Sequence, residues 1–245
     1  MKNQFKTEGI ILRRFDFNEA DQILTVLTKD CGKVSFLAKG IRRIKSRFCG
    51  KAELFYEVEI NGFQGKGMCH INEINVINSR SFFDSELNTK SILFYIAEIT
   101  QKLIQDNQHI DGVYDLLLDT LNYLNSEKDE IILHSYLIKL FTKIGFMAPW
   151  NNCSRCNSKL DLNETNFLNH SEISILKSEY ASPLDKPMKS SFIKWINFMQ
   201  NYPLSEINRV IINKDEEKEV WNLIQSGLRN ILDRSLKSEE FLFAK

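Results

Sequence analysis

From about residue 90 the spacing of apolar side chains changes from two to 3.6, and this switch constrains the fold more than any other feature of the chain. Before it, short β-rich runs recur at Gly9–Arg13, Gln22–Thr28, Lys33–Ala38, Leu54–Ile60 and Met68–Val76. Turn residues separate them: Lys29-Asp-Cys-Gly32, Asn61-Gly62, and the glycines Gly65 and Gly67. Five such strands suit a small closed or nearly closed barrel, because closure removes edges that short strands would otherwise expose. After the switch, Ile92, Tyr95, Ile96, Ile99 and Leu103 share one helical face. Val113, Leu116, Leu117, Leu121 and Leu124 make a second face. Leu133, Tyr136, Leu137, Leu140, Phe141 and Ile144 make a third, with a capping-box-like start at Ser126–Asp129 and a stop at Gly145. Two more faces run from Phe192 to Met199 and from Val220 to Leu232. Between the third and fourth faces, residues 150–190 are rich in Asn, Ser and Pro and lack periodicity, so they read as an insertion into a helical bundle.

Charge decides more than bulk composition does. The 245 residues hold 32 Lys+Arg and 32 Asp+Glu, and a net charge of zero taken alone argues against a nucleic-acid binder. Yet residues 1–80 hold 14 basic and 9 acidic side chains, and the rest of the chain carries the opposite excess. From Lys29 to Lys51 eight bases stand against one acid, Asp30. Such density repels itself unless a polyanion or solvent screens it. Arg forks fit phosphate oxygens, and the small residues Gly40 and Ser46 leave room for close approach. Phe36 and Phe48 flank the run, where a stacking face would serve unpaired bases. The candidate DNA-binding residues are therefore Lys33, Lys39, Gly40, Arg42, Arg43, Lys45 and Arg47, with Phe36 and Phe48. A solvated loop with core phenylalanines is the plainer alternative, and the neighbouring barrel tips the balance toward nucleic acid.

No apolar stretch approaches the roughly 20 residues of a bilayer span, and no secretory leader is expected. Five cysteines without an export signal suit a reducing compartment, so a cytoplasmic protein with no membrane partner is expected, nucleoid-associated through its basic run. Cys153-Ser-Arg-Cys156 has zinc-knuckle spacing, which is half of a tetrahedral site. A second pair is expected about 15–20 residues later and is absent, with His170 the nearby substitute, so zinc and a metal-free vestige both stay open. Asp16, Glu19 and Asp21 cluster as a two-metal nuclease would need, although a solvated turn explains them more simply. The glycines of 62–67 miss the Walker spacing, and no nucleophile elbow or H-E-x-x-H pair occurs. Nothing reads as an enzyme active site.

These residues resemble the RecO family of bacterial DNA-repair, recombination-mediator proteins. Thr7–Arg14 is similar to the family's first strand, Glu19–Thr25 to its E-[AS]-D-x-I-L-T signature, and Gly32–Val34 to its G-K-[LV] step. Ala38–Arg47 resembles the family's A-K-G-x-R-R-x-K-S-R stretch, the most specific element. Lys139–Phe146, Pro149–Cys156 and Leu236–Leu242 are similar to its helix end, first zinc pair and C-terminal motif. The resemblance implies an α+β multidomain protein: an OB-fold barrel over 1–80, a helical domain over 81–148 and 189–245, and a zinc-finger-like insertion over 149–188. It implies no bond chemistry. It implies binding of single- and double-stranded DNA, strand annealing, and cooperation with RecR in loading RecA. It also implies docking on the acidic, Phe-ended C-terminal tail of single-stranded DNA-binding protein, for which Lys139, matching a basic position of the family's helix, is the candidate contact. An OB-fold module binding RNA or ribosomes is the alternative.

Overall fold

The computed structural model describes residues 4–80, 82, 85–124, 128–232 and 236–242. Five strands, β1 (Gln4–Asp16), β2 (Gln22–Thr28), β3 (Gly32–Ala38), β4 (Glu57–Gln64) and β5 (Cys69–Asn78), close into a barrel of order β1-β2-β3-β5-β4. β1 is long enough to serve two neighbours. Its first half pairs with β4, from Gln4↔Phe63 to Ile10↔Glu57, and its second half with β2, from Gly9↔Thr28 to Asp16↔Gln22. An irregularity between Ile11 and Arg13 bends the strand as it passes from one partner to the other. A short parallel pairing of β3 with β5 completes the circle.

Alternation along these strands fills the barrel with Ile11, Leu24, Val26, Val34, Phe36, Val58, Ile60 and Ile74. Phe48 and Ala52, from the segment joining β3 to β4, plug it. Each large apolar side chain taken from water here contributes about 1.5–3 kcal/mol. Two expected boundaries move. Leu54–Tyr56 belongs to a turn, so β4 begins at Glu57. Asn61-Gly62 lies inside β4, where pairing with Lys6 and Phe5 of β1 overrides the local turn preference. The hairpin turns instead at Gly65–Met68.

The chain clusters into two compact units, residues 1–121 with 240–245, and residues 122–239. In the first, the helix α1 (Leu87–Leu103) and most of α2 (Val113–Tyr123) accompany the barrel. Gln101 Nε2 donates to the Leu12 carbonyl at 3.3 Å, tying α1 to β1. Tyr114 Oη donates to Glu57 Oε1 at 3.1 Å, and the same carboxylate pairs with Arg80 at 3.2 Å. Burial, then the Glu57 charge, holds the Tyr114 phenol well above its ordinary pKa.

The second unit is organised by α3 (Asp129–Lys143), whose Ile131, Ile132, Leu133, Tyr136, Leu137, Ile138, Leu140 and Phe141 are all buried. That apolar coat is wider than one face, as befits a central helix. The start expected at Ser126 lies outside the described residues. The stop is as expected: Gly145 adopts φ +76°, its N–H reaches Thr142 O at 3.1 Å, and Phe146 N–H reaches Phe141 O at 2.9 Å. The helices α4 (Ser190–Asn201), α5 (Leu204–Ile207) and α6 (Lys214–Ile231) follow in this unit, and α7 (Glu239–Leu242), all but its first residue, falls to the first unit. Asn213 Oδ1 caps α6 by accepting from Glu216 N–H at 2.8 Å, and Asp215, Glu216 and Glu217 suit the positive end of its dipole. Between α3 and α4 lies a three-stranded antiparallel sheet, β6 (Asn166–Asn169), β7 (Ser174–Lys177) and β8 (Lys186–Met188), in the order β7-β6-β8. Among the described residues no helix is long and apolar enough to cross a membrane.

Candidate nucleic-acid interface

The register brings the β1–β2 turn and the start of the β3–β4 segment to one end of the barrel, since Gln22 pairs with both Asp16 and Ala38. The two loops are bonded to each other. Asp21 Oδ1 accepts from Gly40 N–H at 2.8 Å, and Arg42 N–H donates to Ala20 O at 3.0 Å. The Arg42 guanidinium reaches Asn18 O at 3.4 Å and Asp16 Oδ2 at 3.3 Å. The Gly40 N–H holds the Asp21 carboxyl below its usual pKa, aided by Asn18 and by the charges of Lys39 and Arg43. Gly40 has φ +70°, a left-handed conformation that favours glycine. Successive turns then fix the loop: Arg43 N–H to Gly40 O, Ser46 N–H to Arg43 O, Cys49 N–H to Ser46 O and Lys51 N–H to Phe48 O, at 2.9–3.2 Å.

On this scaffold Lys39, Arg42, Arg43, Lys45 and Arg47 are all exposed. Among the described residues only Arg42 of the five lies within ion-pair distance of a carboxylate. The remaining charges face solvent and one another, an arrangement that a polyanion relieves.

Other expected site residues sit elsewhere. Phe36 and Phe48 are each 2% exposed, inside the barrel, and offer no stacking face. Phe48 instead carries the Arg47 guanidinium 4.9 Å from its ring centroid. Lys33 is withdrawn too: its ammonium pairs with Asp106 at 3.0 Å and donates to Gln101 O, with the side chain only 13% exposed. The Gly40 N–H is engaged by Asp21, so Gly40 shapes the turn rather than opening the backbone to phosphate. Ser46 Oγ likewise accepts from Phe48 N–H. Of the acidic trio, Asp21 clamps the loop and Asp16 is held by Arg42 and Gln22. The sequence reading missed Phe15 and Phe17, which are 51% and 52% exposed, with the Arg13 guanidinium 5.5 Å from the Phe15 centroid. Their signal was present in Arg13-Arg14-Phe15-Asp16-Phe17, where period two places Arg13 and Phe15 on one face of β1, with Phe17 just past its end.

The cysteine pair is split by environment: Cys153 is fully buried and Cys156 exposed. Cys156 Sγ lies 3.0 Å from Ser158 Oγ. That bond, the Ser158 N–H, Cys153 and the charge of Lys177 bring its thiol down to about 7. The charges of Glu179 and Cys156 hold the Tyr180 phenol above its ordinary pKa. Lys177 and Tyr180, both near enough to Cys156 to share its electrostatics, have the spacing of a Cys-x-x-Cys pair but carry no thiol. His170 has Lys186 and Asp185 as its charged neighbours. No group of three or more His, Cys, Asp or Glu suited to a metal occurs among the described residues. A cation and a phenol in place of two thiolates do not fit zinc. The segment has apolar support of its own in buried Trp150, Leu160, Leu168, Ile173, Ile175 and Leu176. Trp150 Nε1 donates to Ile173 O at 3.0 Å.

Lys139 is half-buried and donates to Gln200 O at 3.1 Å; burial and neighbouring Lys143 lower its pKa to about 8. It braces α3 against the end of α4. An apolar cleft of about 630 Å³ opens in the same unit, lined by Trp150, Leu162, Trp195, Phe198 and Tyr202, with Lys159 and Lys194 beside it.

Two family models match nearly the whole chain: recombination protein O N terminal over residues 1–80, and recombination protein O C terminal over residues 85–240. The DNA repair protein RecO of Dehalococcoides mccartyi (strain CBDB1) is 27% identical over 237 residues, 96% of this chain and 94% of its own length. That of Thermoanaerobacter sp. (strain X514) is 27% identical over 240 residues, 97% and 96% of the two chains. A solved asparaginyl-tRNA synthetase of Entamoeba histolytica aligns at TM-score 0.30 and 13% identity, over 69% of this chain and 38% of that one.

Proposed function

Because the chain belongs to the RecO family of DNA-repair and recombination proteins, we propose that it is a recombination mediator whose working surface is the loop 39–47. A role in DNA repair follows from the family; the finer steps are our reading. The chain binds single- and double-stranded DNA, anneals complementary strands and, with RecR, helps load RecA onto strands coated by single-stranded DNA-binding protein.

The observation that carries this reading is the exposure of Lys39, Arg42, Arg43, Lys45 and Arg47 on a loop that hydrogen bonds hold in one shape. Such a loop binds phosphates by charge neutralisation and counterion release, without reading sequence. Its order is set before DNA arrives, so binding does not have to freeze it. Shielding phosphates on two strands at once lowers their mutual repulsion and favours annealing. No bond is made or broken.

An acidic tail ending in an aromatic carboxylate needs a greasy pocket rimmed by cations. With Lys139 engaged by Gln200, the cleft beside Lys159 and Lys194 suits that tail better, although the Trp195 indole there already donates to Glu216 at 2.9 Å. Lys194→Glu should weaken binding of a tail peptide about tenfold, and unchanged affinity would remove the cleft from the proposal.

The test of the whole reading is annealing of complementary strands, with and without single-stranded DNA-binding protein on the template. Annealing should persist on coated strands and vanish in Arg42→Glu/Arg43→Glu. Survival in that variant, or preference for RNA over DNA of the same sequence, would count against it.

A further inference from the structure

At the end of β1 the chain does something that a soluble barrel has no structural need for: it exposes two phenylalanines beside a cationic loop. Phe15 and Phe17 are 51% and 52% exposed, whereas Phe36 and Phe48, nearest in the sequence to the basic run, are buried. Single exposed apolar residues are ordinary, but two at a spacing of two, next to unpaired positive charge, form a patch. Phe15 pairs across the barrel wall with Ile23, and it follows Arg14, whose partner Leu24 is inside. Alternation therefore turns Phe15 outward together with Arg13.

The surroundings match what stacked bases need. Arg13 lies over the Phe15 ring at 5.5 Å, so the face is already one on which a flat π system and a guanidinium coexist. Phe17 closes the β1–β2 turn through its N–H to Asp21 O at 3.1 Å. Asp21 in turn holds Gly40, and Arg42 reaches Asn18 and Asp16. The phenylalanines and the basic loop therefore share one bonded framework. Asp16, the carboxylate between the two rings in sequence, is paired by Arg42, which lowers its repulsion of a phosphate chain.

We infer that Phe15 and Phe17 are a stacking platform for unpaired bases, set beside the phosphate-binding loop. The inference rests on the DNA-binding reading above and adds to it: the loop holds any phosphate chain, while the platform selects strands whose bases are free. In duplex DNA the base faces are covered by neighbours, and the platform gains nothing from them.

The experiment compares full-length wild type, Phe15→Ala/Phe17→Ala and Arg42→Glu/Arg43→Glu against three fluorescent probes of equal length. These are a mixed-sequence single strand, an abasic single strand and a duplex. Both phenylalanines are half-exposed, so the alanine variant should keep the wild-type melting temperature. Wild type should bind the base-bearing strand about tenfold or more tighter than the abasic one. The alanine variant should lose that difference while keeping its affinity for abasic strand and duplex. Phe15→Tyr/Phe17→Tyr should restore it. The platform is overturned if the alanine variant keeps the preference for bases, or if its affinity for all three probes falls together. Undiminished binding by the Arg42/Arg43 variant would instead sink the DNA-binding loop itself, whatever the phenylalanines do.

Discussion

Two exposed loops carry the sequence's clearest chemical signals, and the structure treats them differently. The loop 39–47 keeps Lys39, Arg42, Arg43, Lys45 and Arg47 exposed on a framework anchored by buried Phe48 and Ala52 just beyond it. The turn 150–160 is anchored as firmly, by buried Trp150 and Cys153, yet only half of a metal site remains on it. The difference lies in what each chemistry requires. Phosphate binding sums over charges, and no single geometry is essential. Zinc needs four ligands at fixed distances, and the lysine and tyrosine near Cys156 supply none of the missing thiolates. The first loop survives as a site because its function is additive; the second survives as a fold because apolar packing holds it.

If packing has replaced the metal, Trp150→Ala should be the most damaging change in the turn. A loss of about 3–5 kcal/mol in denaturant unfolding is expected, and added zinc should restore none of it. Rescue by zinc would reverse the comparison.

Acid should separate the two regions. Burial lowers the pKa of His134, which packs against Trp221 at 5.4 Å, to about 4. Its neutral form favours the fold: the contribution is complete above about pH 6.5 and is lost as pH falls toward 4, by about 3 kcal/mol in all. Asp21, held below its ordinary value of 3.8, keeps clamping the basic loop until lower pH. Urea midpoints between pH 7 and 4 should therefore fall chiefly through residues 122–239, and a His134→Leu variant should flatten the fall. Equal acid sensitivity in that variant would remove His134 as the cause.

Smaller still is the effect expected on stripping metal. A chelator should leave the melting temperature of the purified protein unchanged, and Cys156→Ser should shift stability by no more than about 0.5 kcal/mol. Stoichiometric zinc in metal analysis, or melting lowered by the chelator, would show that the turn still holds a metal.

Much of this was legible in the chain. The period switch gave five strands and then helices, and Gly145 marked the end of α3. The exposed cations of 39–47 were visible as a run, because charge density needs no tertiary information. Which aromatics face solvent was not. Phe36 and Phe48 lie close to the run in sequence, but barrel closure turns Phe36 inward and Phe48 becomes the plug. Lys33 is basic like its neighbours, yet Asp106, 73 positions away, captures it. The sheet β6–β8 escaped because strands of three or four residues are too short to show an alternation. Asn61-Gly62 reads as a turn until β1 is laid beside it.

The central claim, that the loop 39–47 is an electrostatic phosphate site, is tested most directly by the salt dependence of single-stranded DNA affinity. With Arg42 and Arg43 changed to Gln, the slope of log affinity against log salt should become shallower by about 1.4, the share of two phosphate contacts. A slope unchanged from that of the wild type would contradict it.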